Sequence, residues 1–178
     1  MRSKAFGFLA FAAGLTILVI ALKALNVLPL IAQKDLMRRY GDFEEMRTAL
    51  GIRQVFVPSY FPEDFRWPPT GILAQGKPYH AVIMEFERSG DEKARGVGMM
   101  IFQAAEDDFS PGGTLALSRI RERATYSLRG RSAILEVGSG VNGEPCSRIS
   151  WRENGLRITV LARLTPFELM KVAESMLR

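Results

Sequence analysis

An uncharged apolar run near the beginning of the chain constrains its architecture most. Residues 5–22, AFGFLAFAAGLTILVIAL, hold no charged side chain. In a helix these residues would span about 27 Å, which is close to the hydrocarbon thickness of a bilayer. The run is longer than the apolar part of a usual signal peptide, and no small-x-small cleavage site follows it. We therefore expect an uncleaved membrane anchor over residues 1–32, rather than a cleaved signal peptide or a buried core helix.

The basic excess of the chain lies beside this run. The net charge is +5; six basic residues and one acidic residue precede Gly41, which accounts for +5, and 18 basic and 18 acidic residues balance from Gly41 onward. Basic residues beside an apolar helix are attracted to an anionic lipid surface. We therefore expect a membrane as a partner, and no nucleic acid.

The charges that flank the run also bear on its orientation. Arg2 and Lys4 precede it and favour a cytoplasmic N-terminus, whereas four basic residues between the run and Gly41 oppose that orientation. Because the first flank commonly dominates, we predict a single-pass protein of the inner or plasma membrane. Its N-terminus would be cytoplasmic and its domain would lie in the periplasm or outside the cell. A cytoplasm-facing, membrane-tethered scaffold is the alternative.

Two further regions follow the predicted anchor. Residues 33–54 are predicted to be a juxtamembrane helical linker, and residues 55–178 an α+β domain. Within the linker, Asp42 and Glu45 have the spacing of a capping box for a short helix, and Gly51 would end that helix.

Alternation of apolar and polar side chains predicts an antiparallel sheet in the domain. In residues 79–87, Val82, Met84 and Phe86 point to one face. Further strands are predicted over residues 97–103, 132–138, 147–153 and 156–163. Residues 114–130 are ambiguous, and we expect a helical turn or two there, followed by a strand.

The end of the chain predicts a helix. Thr165 is a typical N-cap, Pro166 suits the first helical position, and Glu168 is the third-residue partner of the cap. Apolar residues then recur with helical spacing. The predicted fold class is α+β, with an N-terminal transmembrane helix followed by an antiparallel sheet that carries helices on one face.

Few side chains suggest catalysis or metal binding. One histidine and one cysteine exclude most soft-metal sites, which need three or four such ligands. His80 and Cys146 are the pair that could form a nucleophile and its base, but no feature of the sequence places them together. The acidic residues 106–108 are interpreted as a solvated loop rather than a cation site. We expect no catalytic residue, no cofactor and no metal, and a hydrolase that uses His80 and Cys146 is the alternative.

Five arginines lie within residues 119–131. On a strand, Arg119, Arg121 and Arg123 would line one face, where they could hold a phosphate or an acidic partner. A solvated charged surface is the preferred interpretation.

Residues 55–71, VFVPSYFPEDFRWPPTG, combine five aromatic residues with four prolines. The prolines favour an extended backbone at the edge of a sheet, and the aromatic side chains are expected to pack under the sheet. Tyr60, Phe61 and Trp67 join the three arginines named above as the candidate ligand or partner surface.

Two segments, VPSYFPEDFRW and ISWRENGLRITVLARLTPFELMKVAESM, carry a family resemblance. They resemble the beginning and the end of an extracytoplasmic domain of unknown function that is often attached to anti-sigma-factor-like proteins. That domain is similar to the LolA-like lipoprotein-carrier fold. The resemblance implies a curved antiparallel sheet with helices against its concave face, and it transfers no catalytic residue. Phe61 stands where leucine is common, and Asp64 where glycine is common.

The anchor and the resemblance together predict the function. We expect a membrane-anchored, non-enzymatic extracytoplasmic module that binds a lipid, a lipoprotein or a protein partner. Its role would be accessory or regulatory in the cell envelope. An anti-sigma factor is disfavoured, because only four residues precede the apolar run.

Overall fold

The chain divides into two compact units, Met1–Leu36 and Met37–Arg178. The computed structural model describes residue 16 of the first unit, and residues 37–89, 96–111 and 115–177 of the second. Apart from residue 16, the predicted anchor over residues 1–32 lies outside the described residues.

The described part of the chain contains no helix that is long and apolar enough to cross a membrane. The longer of the two helices in the second unit has 10 residues and extends about 15 Å, which is half the hydrocarbon thickness. This finding overturns the transmembrane helix in the predicted fold class. It equally overturns the predicted single-pass location in the inner or plasma membrane.

The second unit is built on one eight-stranded antiparallel sheet. The strands lie in the order β1-β2-β3-β4-β8-β7-β6-β5, so β1 and β5 are its edges. The strands are β1 (Arg38–Tyr40), β2 (Gly71–Gln75), β3 (Ala81–Glu87), β4 (Val97–Ala104), β5 (Leu117–Leu128), β6 (Arg131–Gly140), β7 (Pro145–Glu153) and β8 (Leu156–Ala162). Two helices, α1 (Phe43–Leu50) and α2 (Pro166–Ser175), complete the unit.

Tight turns connect the last four strands. Asn154 and Gly155, between β7 and β8, have φ angles of 49° and 78°, as a two-residue hairpin turn requires. Arg129 and Gly130 make the corresponding turn between β5 and β6, with φ angles of 47° and 84°. These turns fix the register of the hairpins and so determine which side chains share a face.

Both helices lie on the same face of the sheet, which we call the helix side. Leu169, Val172 and Ala173 of α2 pack there in one apolar cluster with residues of β3, β4, β7 and β8, including Trp151. Met46 of α1 packs in a smaller cluster over β2 and β3. Val82, Met84 and Phe86 of β3 all lie on this face, as the sequence predicted.

The opposite face, which we call the loop side, has a second apolar cluster at β3 and β4. Phe109 and Leu115, from the segment between β4 and β5, pack there against Phe102, Met100 and Leu161. The sheet therefore has apolar clusters on both faces.

Both predicted helix beginnings are confirmed. The Asp42 carboxylate accepts a hydrogen bond from the Glu45 amide at 2.8 Å, and Gly51 ends α1 in the left-handed conformation. Thr165 Oγ1 accepts from the Glu168 amide at 3.3 Å at the beginning of α2.

The predicted fold class was nevertheless wrong. The described unit is mainly a β-sheet with two short helices, not a transmembrane helix joined to an α+β domain. Residues 114–130 account for part of the error, because β5 is a strand of 12 residues where we expected helical turns as well. Residues 55–70 add no helix, because they are irregular throughout.

Candidate functional site

An extended segment, residues 52–60, lies on the helix side between α1 and α2. The buried side chain of Gln103 holds this segment, because its Oε1 accepts from the Phe56 amide at 2.9 Å and its Nε2 donates to the Phe56 carbonyl. Further along, the amides of Ser59 and Tyr60 both donate to Ser175 Oγ at 3.2 Å. The segment is therefore attached to β4 at one point and to α2 at another.

Two cavities adjoin this segment, and together we call them the basic cleft. The first has a volume of about 410 Å³ and the second about 310 Å³. Arg53, Gln54 and Asn154 line both cavities. Because these residues are shared, the cavities are neighbours, and we treat them as two lobes of one candidate site.

Apolar side chains form part of the walls of the basic cleft, beside its charged and amide groups. Val55, Phe56, Met176 and Leu177 contribute to the first lobe. Ile52, Val82 and Leu156 contribute to the second lobe. Apolar side chains beside convergent polar groups are common in the ligand pockets of proteins.

Arginines give the cleft its charge. Arg131 binds the Glu153 carboxylate through Nε at 2.7 Å and through Nη2 at 3.1 Å, and the hydrogen bond to Glu153 raises the pKa of Arg131. Arg47 pairs with Glu44 at 3.1 Å on the surface of α1. Arg53 is exposed and makes no ion pair or hydrogen bond with the described residues. One cation of the cleft is thus uncommitted.

The predicted aromatic residues fall into two groups. Phe65 is 3% exposed and packs in the helix-side cluster, as expected. Tyr60 and Trp67 are 36% and 47% exposed, so the expectation that all of these aromatics pack under the sheet was wrong. Phe61 is half-buried, between Trp67 and Phe86, with ring centroids 6.2 Å and 5.5 Å away.

The structure joins Tyr60 to α2 rather than to Trp67. Its hydroxyl donates to Glu168 at 2.7 Å, and Lys171 pairs with the same carboxylate at 2.9 Å. These bonds lower the pKa of Glu168, and the bond to Glu168 raises the pKa of Tyr60. Trp67 instead stacks on Phe43 of α1, with centroids 5.4 Å apart. The two exposed rings thus have separate structural partners.

The three predicted arginines do not form one row. All three lie exposed on β5, but the register with β6 shifts between Leu117 and Arg119 and again between Ile120 and Glu122. As a result, Arg119 pairs with Ser139 and Arg123 with Glu136, and these partners face opposite sides of β6. Arg121 lies at the second register shift. The expected common face was therefore wrong.

His80 and Cys146 are not brought together. His80 lines the second lobe of the basic cleft, close to the β7–β8 turn. Cys146 belongs to the loop-side cluster and lies at the beginning of β7, far along the strand from that turn. Burial, with a smaller contribution from Glu144, raises the pKa of Cys146 to about 11, so the thiol is protonated at neutral pH.

The acidic loop after β4 forms ion pairs. The Asp107 carboxylate pairs with Arg152, and the Asp107 carbonyl accepts from Arg157 Nη1 at 2.7 Å. Among the described residues there is no group of three or more histidine, cysteine, aspartate or glutamate side chains that could hold a metal ion.

The residues of the basic cleft were missed by sequence reasoning. Arg53 and Gln54 fell in the predicted linker, and Gln103 at the end of a predicted strand has no distinguishing pattern. Strands were predicted on both sides of Asn154 and Gly155, but nothing in the sequence placed Asn154 beside Arg53. One usable signal was the helix stop at Gly51, because the charged Arg53 follows two positions later, just before the apolar residues 55–57.

Comparisons with known proteins assign no function to the chain. No protein-family model, no curated protein and no solved structure matches the chain. The resemblance to LolA-like domains stays a prediction.

Proposed function

We propose that the chain is a non-enzymatic binding module whose basic cleft takes an amphiphile with an anionic headgroup, that is, a lipid. The observation that carries the proposal is the position of Arg53. This cation, which has no ion pair or hydrogen bond among the described residues, lines both lobes of a cleft whose walls also include apolar side chains.

The headgroup would bind at the polar part of the cleft. A phosphate or carboxylate beside Arg53 gains charge-assisted hydrogen bonds, which are the stronger class in proteins. Arg131 is already paired with Glu153 in the same lobe, so it supplies neither net charge nor a free donor pair. Asn154, which lines both lobes, offers an amide that can donate to the same group.

The apolar part of the ligand would lie against the walls. Met176, Leu177, Val55 and Phe56 all line the first lobe. Each methylene moved from water into such surroundings contributes about 0.8 kcal/mol. A short chain would therefore add several kcal/mol, and an uncharged amphiphile would retain this part but lose the contribution of Arg53.

The test compares an anionic amphiphile with an uncharged one. Dodecyl phosphate and dodecyl maltoside, each below its micellar concentration, are titrated into the full chain by isothermal calorimetry. We expect dodecyl phosphate to bind more tightly, and Arg53→Gln to weaken its binding about tenfold, or about 1.4 kcal/mol. Arg121→Gln is the matched control, since it removes the same charge from an exposed position on β5.

Three results would contradict the proposal. The first is equal affinity for the two amphiphiles. The second is the same loss of affinity in both arginine variants, which would indicate a general charge effect. The third is displacement of dodecyl phosphate by an acidic peptide at lower concentration, which would favour a protein partner in the cleft.

A further inference from the structure

A separate cavity of about 210 Å³ lies on the loop side of the sheet. Ser150 of β7 and Thr159 of β8, which pair directly across the two strands, form its floor. The segment that follows β4 forms its rim. The cavity shares no lining residue with the basic cleft, and it lies on the opposite face of the sheet.

The floor offers a hydrogen-bond donor. Ser150 Oγ and Thr159 Oγ1 lie 3.0 Å apart, and the two residues are 7% and 2% exposed. Two hydroxyls carry two protons, and their mutual bond uses one. Neither hydroxyl makes another hydrogen bond within the described residues, so the second proton is left to be donated into the cavity.

The sides of the cavity carry arginines in different states. Arg148 is committed to the buried Glu136 carboxylate, through Nε at 2.6 Å. Arg157 donates Nη1 to the Asp107 carbonyl at 2.7 Å and forms no ion pair with the described residues. The charge of Arg157 is therefore uncompensated by any carboxylate in the described part of the chain.

The rim carries one uncommitted acid. The Asp107 carboxylate pairs with Arg152. Asp108 also lines the cavity, and its carboxylate makes no hydrogen bond or ion pair with the residues that the structure describes. Among the described residues that line the cavity, Arg157 and Asp108 are the cation and the anion without an ion pair, and the rings of Phe102 and Phe109 line it as well.

We propose that this cavity binds a small zwitterion of the α-amino-acid class. The ligand's carboxylate is held by Arg157 and the spare hydroxyl proton of the floor, and its ammonium group by Asp108. A simple anion or a simple cation would pair with one of the two free charges, whereas a zwitterion pairs with both, with half-buried Arg157 and with Asp108 at the exposed rim. The volume suits a molecule well below drug size, and the two rings provide an apolar contact for a side chain.

The first experiment determines whether the cavity binds both charged groups of the ligand. Each of the common amino acids is titrated into the full chain by calorimetry. The best binder is then compared with its N-acetyl derivative, which lacks the ammonium charge, and with the amine that lacks the carboxylate. We expect each of these two compounds to bind about tenfold more weakly, because one charge-assisted pairing is lost. Absence of binding by every amino acid, or equal binding of the N-acetyl derivative, would overturn the proposal. So would tighter binding of inorganic phosphate.

The second experiment assigns the roles by variants. Asp108→Asn should weaken the amino acid about tenfold and leave the affinity for its N-acetyl derivative unchanged, because that derivative has no charge for Asp108 to bind. Thr159→Val preserves the shape of the floor and should weaken both compounds. Glu87→Gln, an exposed change outside the cavity, is the control. If Asp108→Asn weakened both compounds equally, the assignment of the ammonium group would be wrong.

Discussion

At the scale of single residues, Gln103 connects the irregular segment of the chain to its sheet. The side chain is 2% exposed, and its amide exchanges two hydrogen bonds with the backbone of Phe56. A backbone that is not part of the sheet thereby obtains the bonds that a neighbouring strand would provide. One side chain thus positions the segment that lines the basic cleft.

Gln103→Leu is expected to destabilise the protein by about 2 kcal/mol. Leucine keeps much of the side-chain volume, but it leaves the Phe56 N–H and carbonyl without their partners, and unpaired buried groups are costly. Urea unfolding followed by circular dichroism measures the change in the free energy of unfolding. Gln54→Leu is the control, since Gln54 is exposed and makes no hydrogen bond within the described residues. Equal stability of the two variants would show that the Gln103 bonds contribute nothing.

Cys146 supports a second prediction at this scale. Its pKa is raised from 9.0 to about 11 by burial, so at pH 8 the native thiolate fraction is about a hundredfold lower than in the unfolded chain. Labelling by Ellman's reagent at pH 8 should therefore be at least that much slower in the native protein than in urea. Fast native labelling would show that the thiol is accessible.

The same pKa shift gives a dependence of stability on pH. The folded-state pKa of the thiol lies above its unfolded value. The contribution of the protonated thiol to the free energy of unfolding is therefore fully present below pH 9, and it is lost as the pH rises to about 11. Comparing wild type with Cys146→Ala across that interval isolates this thiol from the other groups that titrate there.

At the scale of elements, the predictions succeeded where the signal is local. Capping at Asp42 and Thr165 depends on residues three positions apart, so the sequence contains the whole signal. The path of β5 was mispredicted because two register shifts interrupt its alternation, and an interrupted alternation resembles neither a strand nor a helix. The exposure of Trp67 was missed for a related reason. Trp67 stacks on Phe43 of α1 instead of packing under the sheet, and the spacing of aromatic residues in the sequence does not identify Phe43 as its partner.

Gly138→Ala tests the irregular part of β5. A Cβ atom at this position of β6 would lie 1.8 Å from the Arg119 carbonyl oxygen, so the backbone of β5 would have to move. We expect a loss of about 3 kcal/mol or more in the free energy of unfolding. Gly76→Ala is the control, because its nearest neighbour would be the Leu50 side chain at 3.4 Å. If both alanines had the same small effect, the close approach of the two backbones would be wrong.

At the scale of the whole molecule, the sheet depends on pairings that no local pattern specifies. Strand β4 pairs with β8, and Ile101 lies opposite Val160, 59 positions later in the chain. This pairing places the first four strands, β1 to β4, beside the last four, β5 to β8. It also leaves β5, the longest strand, at an edge. The basic cleft and the loop-side cavity could not be predicted for the same reason, since each combines residues from β4 or its vicinity with residues of the last two strands.

The exposed edge of β5 leads to the last prediction. An edge strand presents unpaired backbone groups to other chains, and charged side chains and bulges prevent such pairing. Residues 118–127 are all exposed, and Arg121 and Glu122 lie at one of the two register shifts. Replacing both by valine removes opposite charges, so the net charge is unchanged, and it raises the strand propensity of the edge.

We expect the Arg121→Val, Glu122→Val double variant to self-associate, and light scattering coupled to size-exclusion chromatography over a concentration series measures this. The control is Glu63→Val with Arg66→Val, which makes the same chemical change at exposed positions outside the sheet. Both variants gain the same apolar side chains. Association of the β5 variant alone therefore identifies strand pairing at β5, rather than non-specific association through the added apolar groups. Equal association of the two variants, or none in the first, would show that the charges on this edge do not keep the chain from pairing with its own copies.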